Sequence, residues 1–239
     1  MNLLLEHTLS IDGFANLKER RYVMDEKQFG DHRDDDANCG LGNVTYLADA
    51  FIRPQGQTQK HSHENVDIIT VLIRGRLSHQ GTLGDGVVMN AGDIQIQRAG
   101  ASGFDHNEIN PDTDFNRLIQ IWALPQQLSQ EATYDSFHCG IGEKKRVYTS
   151  TSSNQEGENA ITFIDILRPR TGESLVFPHD ILLFSATGKI RVNEDGAAHQ
   201  DVHEPALIRA NNLTVHILDD AWLIAIHHSR ILFSDRPAH

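Results

Sequence analysis

The chain has 239 residues, with 39% hydrophobic residues, 23% charged residues and a formal net charge of −12. These values predict a soluble globular protein with one large domain or two smaller ones. The acidic balance excludes a basic surface for direct binding to nucleic acid or to an anionic membrane. No apolar run reaches the roughly 20 residues of a membrane span, and the first residues lack the pattern of a signal peptide. Two cysteines, Cys39 and Cys139, give no disulfide framework, so we expect a cytoplasmic protein.

The first half of the chain is predicted to be rich in β-strands. Residues 1–30 are expected to hold an opening strand or two, followed by a solvated acidic loop at 31–36. From residue 43 to residue 123, short apolar segments alternate with turns that contain glycine. The clearest strands are predicted at 44–51, 66–73, 94–97 and 117–124.

The second half repeats this pattern after a polar stretch at 125–160, which we interpret as a loop that connects two domains. Further strands are predicted at 161–167, 181–184, 206–208, 213–217 and 222–226. Long helical periodicity is absent. Short strands at this spacing are typical of barrels and sandwiches. We therefore predict an all-β protein with two β-barrel domains in tandem, covering residues 1–130 and 131–239.

Two short motifs in the first half contain potential metal ligands. They are His61-Ser62-His63 and His106-Asn107-Glu108, each with two ligands at positions i and i+2. On a β-strand such side chains point to the same face. Two strands of one barrel can thus bring three imidazoles and a carboxylate together, a set that suits iron, manganese, nickel, copper or zinc.

Other candidates for a site are weaker. The chain has 14 histidines, so chance pairs are expected. His199 and His203 have the spacing of a helical zinc pair but lie in a polar segment that favours a surface loop. His179 stands alone in the second half, which we therefore expect to bind no metal. The chain has no phosphate-binding loop and no G-x-G-x-x-G nucleotide motif.

The two motifs and the segments between them resemble the cupin superfamily, and more closely the pirin family of two-domain cupins. The matching stretches cover roughly residues 20–135. They are 61–75, His79, 90–95, 99–100, 106–108 and 118–125.

Several positions around the first motif depart from the family pattern His-Pro-His-Arg-Gly-Phe-Glu. The residues found here instead are Ser62, Glu64, Asn65, Val66 and Asp67. The family's Gln-Trp pair is Gln95-Ile96 in this chain. These changes lie around the expected pocket and therefore affect the preference for a substrate.

The resemblance implies a bicupin of two jelly-roll barrels, with a metal in the N-terminal domain and a degenerate C-terminal domain. The family's ligands correspond to His61, His63, His106 and Glu108. The implied cofactor is one divalent metal ion, with iron as the first choice and manganese, nickel, copper or zinc as alternatives. Asp67, Gln95 and His79 are candidates for orienting the ligand imidazoles.

The resemblance also implies a quercetin 2,3-dioxygenase-type reaction on a small aromatic substrate such as a flavonol. A flavonol can chelate a metal through its hydroxyl and carbonyl oxygens, and Glu108 would act as a ligand or as a catalytic base. The alternative is a metal- or redox-sensing regulator that acts through a protein partner. A third reading is another cupin oxygenase or isomerase with a different small substrate. No reading includes direct contact with nucleic acid or a membrane.

Overall fold

The computed structural model describes residues 1–125, 131–153 and 159–231. Within these ranges the protein is almost entirely β-structure, with one short α-helix, α1 (Glu26–Phe29), and two 3₁₀ turns at Glu6–Thr8 and Gly30–His32. None of the helices in the described ranges has the length and apolar character needed to cross a membrane. The predicted all-β fold class is confirmed.

The longest strands lie in the second half of the chain. The strands of the first half are β1 (Asn2–Leu5), β2 (Leu17–Met24), β3 (Val44–Ile52), β4 (His61–His63), β5 (Asp67–Arg74), β6 (Arg76–Gly81), β7 (Val88–Asn90), β8 (Asp93–Arg98), β9 (Phe104–Ile109) and β10 (Arg117–Ala123). The remaining strands are β11 (Thr133–His138), β12 (Lys144–Ser153), β13 (Asn159–Leu167), β14 (Ser174–Phe177), β15 (Ile181–Glu194), β16 (Gln200–Val202), β17 (Ala206–Ala210) and β18 (Leu213–Ile231).

A six-stranded sheet and a four-stranded sheet form the first sandwich. Their strand orders are β11-β8-β5-β10-β3-β2 and β4-β9-β6-β7. The chain passes from one sheet to the other at Gly75, the single residue between β5 and β6. Its φ of +79° is a conformation that glycine adopts without the steric cost of a Cβ. This tight corner places the two sheets face to face, with the motif strands β4 and β9 next to each other.

One eight-stranded sheet folds over on itself to form the second sandwich. The long strands β15 and β18 pair over most of their length, and their register shifts between Ser185 and Ile190. Such bulges bend strands and increase their twist. The bend brings β14 and β16, which pair with the other ends of these long strands, over the rest of the sheet. The enclosed space is filled by a cluster of buried apolar residues that lie between positions 167 and 225 of the chain.

The largest apolar cluster lies between the two sandwiches. Ile69 and Val71 of β5 contribute to it together with Ile164 of β13 and Ile224 of β18. The alternate residues of β5, such as Thr70, point to the opposite face, into the first sandwich. Because both faces of β5 are covered, its sequence is a nearly continuous apolar run. One face of the six-stranded sheet thus packs against the second sandwich, and the other face can carry polar groups.

Two features of the pairing differ from the sequence expectations. The stretch 125–160 was expected to be a loop, and that is wrong where the chain is described, because β11 and β12 lie within it. Strand β11 pairs with β8 of the first sandwich, and β1 pairs with β17 of the second. The domain boundary near residue 130 stays a prediction. Strand β1 precedes this boundary in the chain but pairs with β17, which follows it. Residues 126–130 and 154–158 fall outside the described part of the chain.

Candidate metal centre

The two histidine motifs lie on neighbouring antiparallel strands. His61 on β4 is directly opposite His106 on β9, and Ser62 is opposite Asp105. On the outer face, the Ser62 hydroxyl donates to Asp105 at 2.6 Å, and the ammonium of Lys60 lies 3.0 Å from the same carboxylate. These contacts hold a strand of only three residues in register. The alternating pleat then directs the histidines to the inner face.

The three imidazoles converge inside the first sandwich. Nε2 of His106 lies 3.0 Å from Nε2 of His61 and 3.1 Å from Nε2 of His63. One nitrogen from each ring lies within 4.8 Å of the other two. Two nitrogens that each bind one metal ion at about 2.1 Å and about 90° apart would be about 3.0 Å from each other. The separations of 3.0 Å and 3.1 Å therefore fit neighbouring ligand positions around one divalent metal ion.

Burial keeps two of these imidazoles neutral. Burial, with a smaller effect of His61, lowers the pKa of His63 to about 4 from its ordinary 6.5. Burial, with smaller effects of the neighbouring histidines, lowers the pKa of His106 to about 2. Neutral imidazole is the form that binds metal. The nitrogen lone pairs of both residues are thus available at neutral pH.

Glu108 lies on β9 two residues after His106, but its carboxylate is not part of the three-histidine group. It accepts hydrogen bonds from Nε2 of Gln95 at 3.0 Å, from the hydroxyl of Thr70 at 3.3 Å and from Nε2 of Gln120 at 3.4 Å. Burial raises the pKa of Glu108 to about 7, although the bonds from Thr70 and Gln95 act in the opposite direction. Glu108 is therefore a deeply buried acid beside the histidines, and its role as a fourth ligand stays a prediction.

The residues expected to orient the imidazoles have different partners. Gln95 holds Glu108 rather than a histidine, and Tyr134 donates to the oxygen of Gln95 at 3.2 Å. Asp67 accepts hydrogen bonds from the backbone N–H of Ala99 and from the hydroxyl of Tyr148. The sequence reasoning missed Gln97, whose Oε1 lies 3.0 Å from Nδ1 of His106. Its position two residues after Gln95 on one strand was the available signal, because both then face inward.

Aromatic side chains surround two of the histidines. Phe14, which is 48% exposed, meets His61 edge to face at a centroid distance of 5.7 Å. Trp122 meets His63 in the same way at 5.4 Å. Tyr46 and Phe29 pack against Trp122 at 4.6 Å and 5.9 Å. Aromatic rings thus border the histidine cluster at His61 and at His63.

The second sandwich has no comparable group in the part of the chain that the structure describes. His199 and His203 flank the short strand β16 and are exposed, so they form no helical pair. His179 is exposed in the turn before β15. His227 lies 2.9 Å from Asp165, which also accepts two hydrogen bonds from Arg146. These histidines do not converge on one point.

Comparison with known proteins identifies the family. Residues 18–123 match the sequence profile of the Pirin family. A protein of Mycobacterium tuberculosis named "Putative quercetin 2,3-dioxygenase" is 33% identical over 178 residues, which cover 70% of this chain and 72% of that protein. The chain belongs to the pirin family.

Other pirin relatives match over shorter stretches. A Pasteurella multocida protein that is also named "Putative quercetin 2,3-dioxygenase" is 36% identical over 96 residues, which cover 40% of this chain but 41% of that relative. This match therefore spans less than half of the relative's length.

The crystal structure of the bacterial pirin YhhW from Escherichia coli, in complex with nickel(II), superimposes with a TM-score of 0.74 at 17% identity. The superposition covers 94% of this chain and 97% of YhhW, and it supports the tandem cupin fold of this pirin.

Proposed function

We propose that this pirin is a metal-dependent dioxygenase of the quercetin 2,3-dioxygenase type, with one iron ion in the first sandwich. His61, His63 and His106 would hold the metal, with Glu108 as the fourth ligand or as the base. The reaction would be the O₂-dependent opening of a flavonol ring with loss of CO. The convergence of three imidazole nitrogens beside an aromatic wall is the observation that carries this proposal.

The ligand set supports a metal that must bind both substrate and O₂. Three histidine ligands would leave further positions of the ion open. When bound, the metal would supply Lewis acidity that lowers the pKa of a flavonol hydroxyl. Iron suits this set of nitrogen and oxygen ligands, and nickel(II) is the ion named for the bacterial pirin YhhW.

The chain's own residues would position the substrate and handle its proton. Phe14 lies beside His61 and Trp122 beside His63, and both would offer flat apolar surfaces for an aromatic ring. Glu108 would accept the hydroxyl proton of the substrate at a carboxylate oxygen, or would bind the metal in ionised form. Gln95, Thr70 and Gln120 donate to this carboxylate and stabilise its ionised state.

The proposal is tested by O₂ consumption. The metal-free protein is loaded anaerobically with iron or nickel, mixed with quercetin and exposed to O₂, and CO release is measured with the O₂ uptake. We expect uptake and CO in equal amounts with the wild type and none with the His61→Ala/His63→Ala variant. Loaded protein that shows no uptake above this variant would overturn the reaction and favour the regulator.

Two further variants separate the roles around the metal. A Glu108→Gln variant that loses the metal identifies a ligand, whereas one that keeps the metal but loses CO release identifies a base. Phe14→Ala should raise KM for quercetin with little change in metal content, because Phe14 contacts His61 ring to ring and offers no ligand atom. Phe115→Ala serves as the matched control, since that ring is similarly exposed at 43% and makes no contact with the histidines. An unchanged KM for Phe14→Ala would exclude its part in substrate binding.

A further inference from the structure

The side chain of Gln97 reaches behind the histidine cluster. Gln97 lies on β8 of the six-stranded sheet, is fully buried, and places its Oε1 3.0 Å from Nδ1 of His106. His106 itself lies on β9 of the opposite four-stranded sheet. Gln97 is therefore a side chain of the six-stranded sheet that hydrogen-bonds to a histidine of the four-stranded sheet.

A carbonyl oxygen has no proton to donate, so the contact with Gln97 requires a proton on Nδ1 of His106. A neutral imidazole with a proton on Nδ1 has its lone pair on Nε2. Nε2 is the atom of His106 that lies 3.0 Å and 3.1 Å from the other two histidine nitrogens. The amide of Gln97 thus selects the tautomer whose lone pair faces the centre of the cluster.

The same logic applies to His61 through a different acceptor. Nδ1 of His61 lies 2.9 Å from the backbone carbonyl oxygen of Gln59. Gln59 has a φ of +67°, so the chain turns sharply just before β4. His61 is oriented by backbone that any residue supplies, whereas His106 depends on one side chain. The tautomer of His106 is accordingly the one that a single substitution at Gln97 can change.

His79 is a further buried histidine beside His106, with the ring centroids 5.5 Å apart. Nδ1 of His79 lies 3.2 Å from the carbonyl oxygen of Gly84 and donates to it, so Nε2 of His79 has a lone pair. Among the described residues, neither Nε2 of His79 nor Nε2 of Gln97 has a hydrogen-bond partner. The Gln97 amide is therefore hydrogen-bonded through its oxygen to His106.

We propose that Gln97 is a positioning residue that fixes the tautomer and ring orientation of His106, and thereby sets the metal affinity of the three-histidine site. This inference rests on the metal site of the proposed function but not on its reaction. Groups that hold the outer nitrogen of a ligand histidine typically contribute 10- to 100-fold to metal affinity. The metal site would therefore include Gln97, a residue of the six-stranded sheet that lies outside the two ligand motifs.

The first test is the affinity for cobalt(II), measured by competition with a chelator, together with the visible spectrum of the bound ion. Gln97→Met keeps a side chain of similar length but removes both hydrogen-bonding groups, and we expect about 10- to 100-fold weaker binding and an altered spectrum. Gln97→Glu keeps an acceptor and should restore affinity to within about threefold of the wild type. Gln80→Met, on the exposed face of β6, is the matched control and should bind as the wild type does.

Three outcomes would overturn the inference. They are Gln97→Met affinity within twofold of the wild type, Gln97→Glu binding as weak as that of Gln97→Met, and a wild type that binds no cobalt. Wild-type binding that depends on Gln97, in a protein that never consumes O₂ with quercetin, would support the inference and overturn the reaction alone. The two proposals can therefore fail separately.

A second measurement does not depend on the folding of any Gln97 variant. Proton–nitrogen correlation spectra of the metal-free wild type report which imidazole nitrogen of each histidine carries the proton, and a His106→Asn spectrum assigns the signal of His106. We expect His106 to carry its proton on Nδ1. A proton on Nε2 would overturn the role of Gln97.

Discussion

The interiors of the two sandwiches differ more than their architectures do. Between the sheets of the first sandwich lie His63, His106 and Glu108, all less than a tenth exposed. The interior of the second sandwich is filled by apolar residues such as Leu183 and Leu223. The same β-sandwich architecture can therefore enclose either a polar cluster or an apolar core. The choice depends on the inward-facing residues of a few strands.

The polar interior of the first sandwich has a cost in free energy. A buried polar group is costly unless it is hydrogen-bonded, and each buried donor or acceptor of the first sandwich needs a partner. Gln95, Gln97 and Gln120 supply such partners from the six-stranded sheet. The second sandwich avoids this cost and shares the apolar layer at the interface between the sandwiches. We interpret it as the stabilising half of the molecule.

The largest expected effect follows from removing an imidazole of the first sandwich. His106→Ala deletes the nitrogen that lies within 3.1 Å of both other histidines. We expect metal affinity to fall by more than about 100-fold, because two imidazoles remain on one strand. Metal content after dialysis is the measurement, with His216→Ala in the second sandwich as the control. Equal metal content in the two variants would remove the distinction between the sandwiches.

The next effect is on stability and concerns the second sandwich. Leu223 is fully buried in its apolar core, and Leu223→Ala would leave a cavity. We expect a loss of about 3 kcal/mol in the free energy of unfolding, measured with urea. Metal stoichiometry at saturation should stay at the wild-type value. A loss below about 1 kcal/mol would mean that this core relaxes around the cavity and is not the rigid part of the molecule.

A smaller effect depends on pH. Burial raises the pKa of Asp165, but hydrogen bonds from His227 and Arg146 outweigh burial and bring the pKa to about 2, below its ordinary 3.8. A lowered pKa means stability that is present above pH 4 and lost as the pH falls toward 2. Asp165→Asn should therefore reduce stability by about 2 kcal/mol at pH 7, but not at pH 2. A constant difference across this pH range would show that ionisation of Asp165 contributes nothing.

The smallest predicted effect concerns the contact between the sandwiches. The hydroxyl of Tyr148 on β12 donates to Asp67 on β5 at 2.7 Å. Tyr148→Phe removes one buried hydrogen bond and should cost about 1 kcal/mol in the free energy of unfolding. Calorimetry should still show a single transition for both halves. Two separate transitions in the wild type would indicate that the apolar layer does not couple the sandwiches.

Part of this organisation could be predicted from the sequence. The i, i+2 spacing of His61 and His63 predicts that both face one side of a strand, and the structure has that strand. The apolar runs predicted β5 and β10 to within a residue or two. These predictions succeed because strand periodicity is local, and burial on one face leaves a clear pattern.

Long-range pairing and the choice among polar partners could not be predicted. Strand β11 has mostly exposed or half-exposed residues at the edge of a sheet, so its sequence lacks the apolar pattern of a strand. Strand β1 pairs with β17, about 200 residues away, which no local pattern reveals. Gln95 and Gln97 both face inward, but only the folded geometry shows that Gln95 holds Glu108 and Gln97 holds His106.

The central claim is that one metal ion binds to three histidines of the first sandwich and none binds in the second. A crystal of the metal-loaded protein, measured at the absorption edge of the metal, tests this most directly. We expect one anomalous peak per chain, about 2.1 Å from Nε2 of His61, His63 and His106. A peak held by other residues, or no peak at this site, would contradict the claim.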